Sequence, residues 1–230
     1  MGKNSRKQAA QGPTKGTQTR HLIVDRALNI AAQEGLGALS IGRLAKDLNM
    51  SKSGLVLHFG SKANLELAVV ERADLYFFDY IMVPIDEKGL QGIERVWALC
   101  DSWLEFVEQR RLPGGYFFSG AYFQCAGRSG PIPRRIRQAV HDWVDALGEA
   151  LSQARRRDEV RGSVDVVQAA VELSCVLIGA QWSQLMAYTN HKTARLTVLA
   201  HLRELASEEI PARVFESVEA WQAYLESRAD

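Results

Sequence analysis

The chain is poor in the features that would staple it, anchor it or give it catalytic chemistry. Three cysteines occur in 230 residues, Cys100, Cys125 and Cys175, far apart and in apolar surroundings. They offer neither a disulfide framework nor a metal-ligand spacing, and read as buried thiols of a reducing compartment. The most apolar stretch, Val164–Leu177, is interrupted by Asp165 and Glu172, so no membrane span is expected. The first twenty residues are polar and basic and lack the apolar segment of a signal peptide, which points to the cytoplasm. No Ser/His/Asp or Cys/His constellation, phosphate-cradling glycine loop or His/carboxylate metal spacing is present, and His141, His191 and His201 stand isolated. The expectation is therefore a protein that is not an enzyme, with no catalytic residue, no metal and no cofactor. Convincing strand alternation is missing as well, which leaves an all-α chain.

What is present is an uneven charge. The whole chain carries +1, yet Met1–Lys62 holds ten Lys/Arg against three Asp/Glu, and the remainder holds 18 against 24. A head of net +7 on a body of net −6 suits a polyanionic partner for the head alone.

Apolar residues recur at helical spacing along most of the chain. Residues 1–16, rich in Lys, Gln, Gly and Ser, read as a disordered basic arm. Helices are expected over about Thr19–Glu34, Ile41–Leu48, Ser51–His58 and Lys62–Ile81, the last closed by Pro84. Further helices are expected over Leu90–Arg110, Tyr116–Cys125, Pro133–Arg156, Val164–Tyr188 and Lys192–Ser207, with a last amphipathic segment, Ala212–Leu225. Residues 17–62 would form a three-helix unit and residues 63–230 a larger helical body.

The informative stretch is Ser40–Phe59. Two short helices joined by a tight turn must cross steeply, which requires a small residue at the crossing, a residue that accepts positive φ at the turn and an apolar anchor in the second helix. Ala45, Asn49 and Leu55 stand at those places, with Leu44, Leu48 and Phe59 completing a small core. This is a helix-turn-helix, whose second helix can enter a DNA major groove.

The run from Thr19 to Arg72 resembles the DNA-binding domain of the TetR/AcrR family of bacterial transcriptional regulators. The resemblance rests on Thr19-Arg20, Ala27…Ile30-Ala31, Glu34-Gly35, Ser40-Ile41, Leu44-Ala45, Ser51-Lys52 and Leu55…His58-Phe59-Gly60-Ser61-Lys62…Leu65. Two positions depart from the usual pattern. Val56 stands where an aromatic or hydroxyl residue is common, and Ser53 where glycine, proline or alanine is. Val56 cannot donate a hydrogen bond but can meet a thymine methyl. The resemblance implies a homodimer that binds double-stranded DNA at a palindromic operator and is released by a small-molecule effector held in the body.

Within this motif the expected DNA contacts are Thr19, Arg20, Ser40, Arg43, Ser51, Lys52, Ser53, Gly54, Val56, Leu57, His58 and Lys62, mostly at helix starts where phosphates would pass. In the body, aromatic residues cluster, and Trp97, Cys100, Trp103, Phe118, Tyr122, Trp143, Gln181 and Trp182 are the expected lining of an apolar effector pocket. Ser174, Gly179, Ser183 and Ala187, small residues that permit close helix approach, join Leu199 and Leu202 as the expected dimer interface. A second reading keeps the helical dimer and its small-molecule or partner binding but gives up sequence-specific DNA binding.

Overall fold

The computed structural model describes residues 14–112, 117–186 and 190–228. Most of the expected arm, the Pro113–Tyr116 turn and Ala187 lie outside them. Among the described residues there are ten α-helices and two 3-10 turns, and the extended pairing consists of one isolated bridge between Val160 and Ala206. The helices are α1 (Lys15–Glu34), α2 (Ile41–Asp47), α3 (Lys52–Phe59), α4 (Lys62–Glu87), α5 (Gly92–Glu108), α6 (Phe117–Cys125), α7 (Pro131–Arg156), α8 (Val166–Leu185), α9 (His191–Leu205) and α10 (Val218–Glu226).

Several boundaries differ from the sequence reading for identifiable reasons. α1 starts four residues early because the Thr14 hydroxyl accepts the Thr17 N–H at 3.2 Å, which places Lys15 and Gly16 in a helix and not in the arm. α4 runs through Pro84. The proline removes one backbone donor, but Ile81 and Ile85 on either side of it are both buried and hold the last turns in place. The stop is Gly89, at φ +64°. α7 begins at Pro131, since prolines in a first turn lose N–H groups that have no helical partner anyway. The segment from Ala212 is two pieces, a 3-10 turn (Ala212–Phe215) and α10, because the Ser217 side chain caps a fresh helix through the Ala220 N–H at 3.0 Å.

The chain forms two compact units. The first takes the chain through Ala73 together with Phe117–Arg135; the second takes Asp74–Tyr116 and Ile136 onward. A single cut after residue 62 therefore does not separate them, because α6 belongs with the N-terminal helices. In the first unit, Ile23, Ala27, Ile30 and Ala31 of α1 pack with Leu44, Leu55, Phe59, Leu65 and Val69, all buried. Gln124 of α6 lies over the end of α1, within 2.1 Å of where a side chain on Gly35 would begin. Gly35 is at φ +88°, so the backbone there favours glycine, and a larger residue would also push the Gln124 amide aside.

In the second unit, α5, α8 and α9 pack around Leu99, Cys100, Leu173, Leu177, Val198 and Leu202. Arg195 of α9 ties Asp101 and Glu108 of α5 together at one edge. The C-terminal segment closes the other side: Trp221 is fully buried, stacked on Phe215 at 5.1 Å between centroids and tilted against Trp97 at 6.0 Å. The carboxylate of Glu159, itself buried, accepts the Ile93 N–H at 2.8 Å and pairs with Arg228 at 2.6 Å, linking the start of α5 to the chain's C-terminal end. Gly92 is required there, since a side chain would begin 1.9 Å from that carboxylate.

Trp221→Ala is expected to lower stability by about 3–5 kcal/mol through the cavity it leaves. Urea unfolding of the full chain checks this; a loss under about 1 kcal/mol would show that α10 does not close the core.

Candidate nucleic-acid interface

Each end in the helix-turn-helix has its own device. Ser40 caps α2, its hydroxyl accepting the Arg43 N–H at 3.1 Å. Asn49 takes φ +53°, and the Met50 N–H then donates to the Ala45 carbonyl at 2.8 Å, closing the turn. Ser51 caps α3 through the Gly54 N–H at 3.0 Å, Gly60 ends it at φ +74°, and Ser61 caps α4 through the Asn64 N–H. Ala45 is buried at the α2–α3 crossing, Leu44 and Leu55 are sealed, and Leu48 is half-buried at the rim. The small methyl side chain of Ala45 is what lets two short helices approach closely enough to share this core.

Leu55 and Phe59, one helical turn apart, define the inward face of α3. At 100° per residue, Ser53 and Leu57 point the opposite way, flanked by Val56 on one side and by Gly54 and His58 on the other. Leu57 is 86% exposed, and Val56 is exposed beside it. The Ser53 hydroxyl lies 3.2 Å from that of Ser51. His58 is half-buried beside the Phe59 ring. Lys52 lies across the start of α2, its Cε 3.3 Å from where a side chain on Gly42 would begin. The lysine stem thus passes over Gly42.

Part of the positive charge of this unit is engaged by its own carboxylates. Arg26 pairs with Asp47 at 2.8 Å, Arg72 with Asp25 at 2.7 Å and Lys62 with Glu66 at 3.4 Å. Arg43, expected to reach a phosphate, instead forms a two-pronged pair with Glu34, both bonds 2.7 Å. The hydrogen bonds from Arg43 hold the Glu34 carboxyl below its ordinary range. Its fork geometry matches a carboxylate too well to be given up readily. The Lys62 pair is longer, single-pronged and of the α4 i,i+4 type, with the lysine itself exposed, so it can yield to a phosphate at little cost. Lys15, Arg20, Lys46 and Lys52 have no ion-pair partner among the described residues. Arg20 rests over the Phe59 ring at 5.0 Å, and the Thr19 hydroxyl donates to the Lys15 carbonyl at 2.9 Å.

The residues expected to line an effector pocket fall in two units. Phe118 and Tyr122 belong to the first unit, and Trp97, Cys100, Trp103, Trp143, Gln181 and Trp182 to the second. Trp97 is core packing against Trp221, and Trp143 meets Phe77 edge-on at 5.5 Å. Cys100 is sealed, and burial pushes its thiol far above its ordinary range, so it holds no thiolate. Gln181 is buried, Trp103 is half-buried, and Tyr122 and Trp182 are exposed. A recess of about 420 Å³ elsewhere in the second unit is lined by charged groups, Arg157, Asp158, Glu159, Glu209 and Arg228 among them.

The expected dimer residues also separate. Leu199 and Leu202 are 0% exposed, sealed inside their own protomer, because α9 turns its leucines toward α5 and α8. Ser174 is buried, Ser183 half-buried and Gly179 exposed. What α8 presents outward is an apolar stripe, Val167, Val171, Cys175, Ile178, Trp182 and Met186, at steps of three and four. Cys175 is therefore exposed and not buried. Ser174, Gly179 and Ser183, the small residues expected at the interface, each stand next to a stripe residue, which turns them toward a neighbouring face of the helix. α8 is also the one described helix long and apolar enough to cross a membrane, at a mean hydropathy of 1.3 over Val166–Gln184.

Residues 23–69 match the family model of the bacterial regulatory proteins, tetR family, and residues 92–198 that of the tetracyclin repressor-like C-terminal domain. No curated protein sequence matches. Among solved structures, a TetR transcriptional regulator from Chloroflexus aurantiacus aligns with a TM-score of 0.75 at 20% identity, over 84% of this chain and 98% of its own. A TetR-family regulator from Streptomyces coelicolor aligns at 0.68 and 22% identity, over 86% and 93%. AibR, solved with isovaleryl coenzyme A and operator DNA, aligns at 0.61 and 18% identity, over 81% and 97%.

Lys52→Ala is expected to flatten the dependence of log affinity on log salt by about one unit on any duplex, whereas Arg43→Ala leaves the slope unchanged. Titrations of DNA binding at several salt concentrations measure both. An unchanged slope for Lys52→Ala removes that side chain from the phosphates.

Proposed function

The chain belongs to the TetR family of bacterial regulatory proteins and is a DNA-binding transcriptional regulator, not an enzyme; from that premise we propose that it acts in the cytoplasm as a homodimeric repressor, released from a palindromic operator by a small ligand in its second unit. The observation that carries the DNA contact is α3, capped at both ends, anchored by two buried residues and open on its far face. Lys52 at its start and Arg20 beside it carry charge that no carboxylate of the unit neutralises. The alternative of a dimer that does not read DNA draws on Val56 and Ser53 alone, and the capped, outward-facing α3 speaks for the first reading.

The α8 stripe supports the dimer. Five large apolar residues and a thiol along one face are costly in water, and a second copy of the same helix covers them with their like. It also gives a reason for the helix's hydropathy that needs no membrane. A dimer places two copies of α3 on one duplex, about 34–36 Å apart when the half-sites are one helical turn apart. Ligand release requires a molecule that binds the DNA-free arrangement more tightly, since it shifts the equilibrium by its differential affinity and no more. AibR, of the same fold, was solved with an acyl coenzyme A, and that class of apolar acyl compound is the first to try.

Mobility shifts of the full chain on the DNA flanking its own gene test the regulator; binding no tighter than to scrambled duplex overturns it. Ile178→Glu is expected to convert the dimer to monomer in sedimentation and to weaken operator binding at least tenfold, since it sets like charges against each other in an apolar seam. A dimer that survives this substitution does not use the α8 face.

A further inference from the structure

The face of α3 that points away from its core offers almost nothing that can hydrogen-bond. Ser53 and Leu57 lie opposite Leu55 and Phe59, and Val56 borders them. The Ser53 hydroxyl is engaged with that of Ser51. Lys52, the cation on this helix, is drawn aside over Gly42 at the start of α2. His58 sits half-buried on the far flank. What else faces outward is the isobutyl group of Leu57 and the isopropyl group of Val56, with the exposed Ser53 hydroxyl as the hydrogen-bonding side chain beside them.

On the floor of a major groove, the donor and acceptor atoms of guanine, cytosine and adenine gain nothing from such a surface and lose water to it. The apolar atom that a base edge presents there is the C5-methyl of thymine. We infer that Leu57, with Val56, makes this protein a reader of thymine methyl groups: each half-site carries at least one thymine under α3 whose methyl is buried against these two side chains, while Lys52 contributes phosphate affinity without base preference. The inference rests on α3 being the groove-reading helix, as proposed above, and names what it reads.

The magnitude follows from the area removed from water. A buried methyl is worth about 0.8 kcal/mol, close to a fourfold change in affinity. A dimer touching one methyl in each half-site would lose about sixteenfold when both are absent.

The probe is a duplex selected by the full-length protein from a random library. Each thymine of the selected half-site is replaced in turn by deoxyuridine, which keeps every hydrogen-bonding group and removes the methyl. Binding is expected to fall about fourfold per half-site at one or two positions and to be unchanged at the rest. Val56→Ala and Leu57→Ala together, in both subunits, should weaken binding to the thymine duplex by at least as much and abolish the difference between thymine and deoxyuridine. Both side chains are exposed, so this variant should melt with the parent protein. Placing 5-methylcytosine at a selected cytosine outside those positions should do nothing. Specific binding that is indifferent to every deoxyuridine, or a deoxyuridine penalty that persists in the double variant, overturns the inference and leaves the regulator standing. Selection that enriches no sequence overturns both.

Discussion

The α2–α3 crossing is the constraint on which the DNA-facing surface depends. Two helices of seven and eight residues cannot hold themselves together by propensity, because each is shorter than an isolated helix needs to be. They persist because Ala45 lets them close on each other, Asn49 accepts the left-handed turn between them, and the Met50 N–H finds the Ala45 carbonyl. Once Leu55 and Phe59 are fixed inward by that closure, Ser53 and Leu57 have no choice but to face out. The reading surface is thus a by-product of how the core is anchored.

Charge in this unit is arranged with equal economy. Carboxylates take up Arg26, Arg43 and Arg72, which then serve to bind helices to one another. Among the described residues through Ala73, the cations left without such partners are Lys15, Arg20, Lys46 and Lys52. Net charge thus pointed to the correct end of the chain but not to which of its side chains face phosphates.

The parts of the fold legible in the sequence were those fixed by one residue acting on its neighbours. Ser40, Asn49, Ser51, Gly60 and Ser61 each set a boundary by local bonding or local φ, and all could be read from the residue type and its place. What could not be read depended on partners distant in sequence. Pro84 looked like a terminator until the burial of Ile81 and Ile85 outweighed its missing donor. Arg43 looked available until Glu34 was found opposite it. Leu199 and Leu202 are apolar residues of a helix with two apolar contacts to make inside the protomer, and period alone does not tell an inner stripe from an outer one. For the same reason Trp97 passed as a pocket wall, when it is the surface on which Trp221 rests.

α6 belongs with the N-terminal helices although 57 residues of chain, 60–116, separate it from the end of α3. The Gln124 amide lies over Gly35 at the end of α1 and accepts the Gly37 N–H at 3.5 Å, so α1 and α6 are matched to each other across that gap. The specificity of this regulator is consequently not a portable cassette. A chimaera made by grafting its first sixty residues onto a relative's body would carry α1 without the α6 that suits it. Transplanting the DNA-reading unit intact takes two exchanged segments, and a lineage that shuffles such heads by single crossovers would be expected to retain Gly35 and Gln124 together or lose them together.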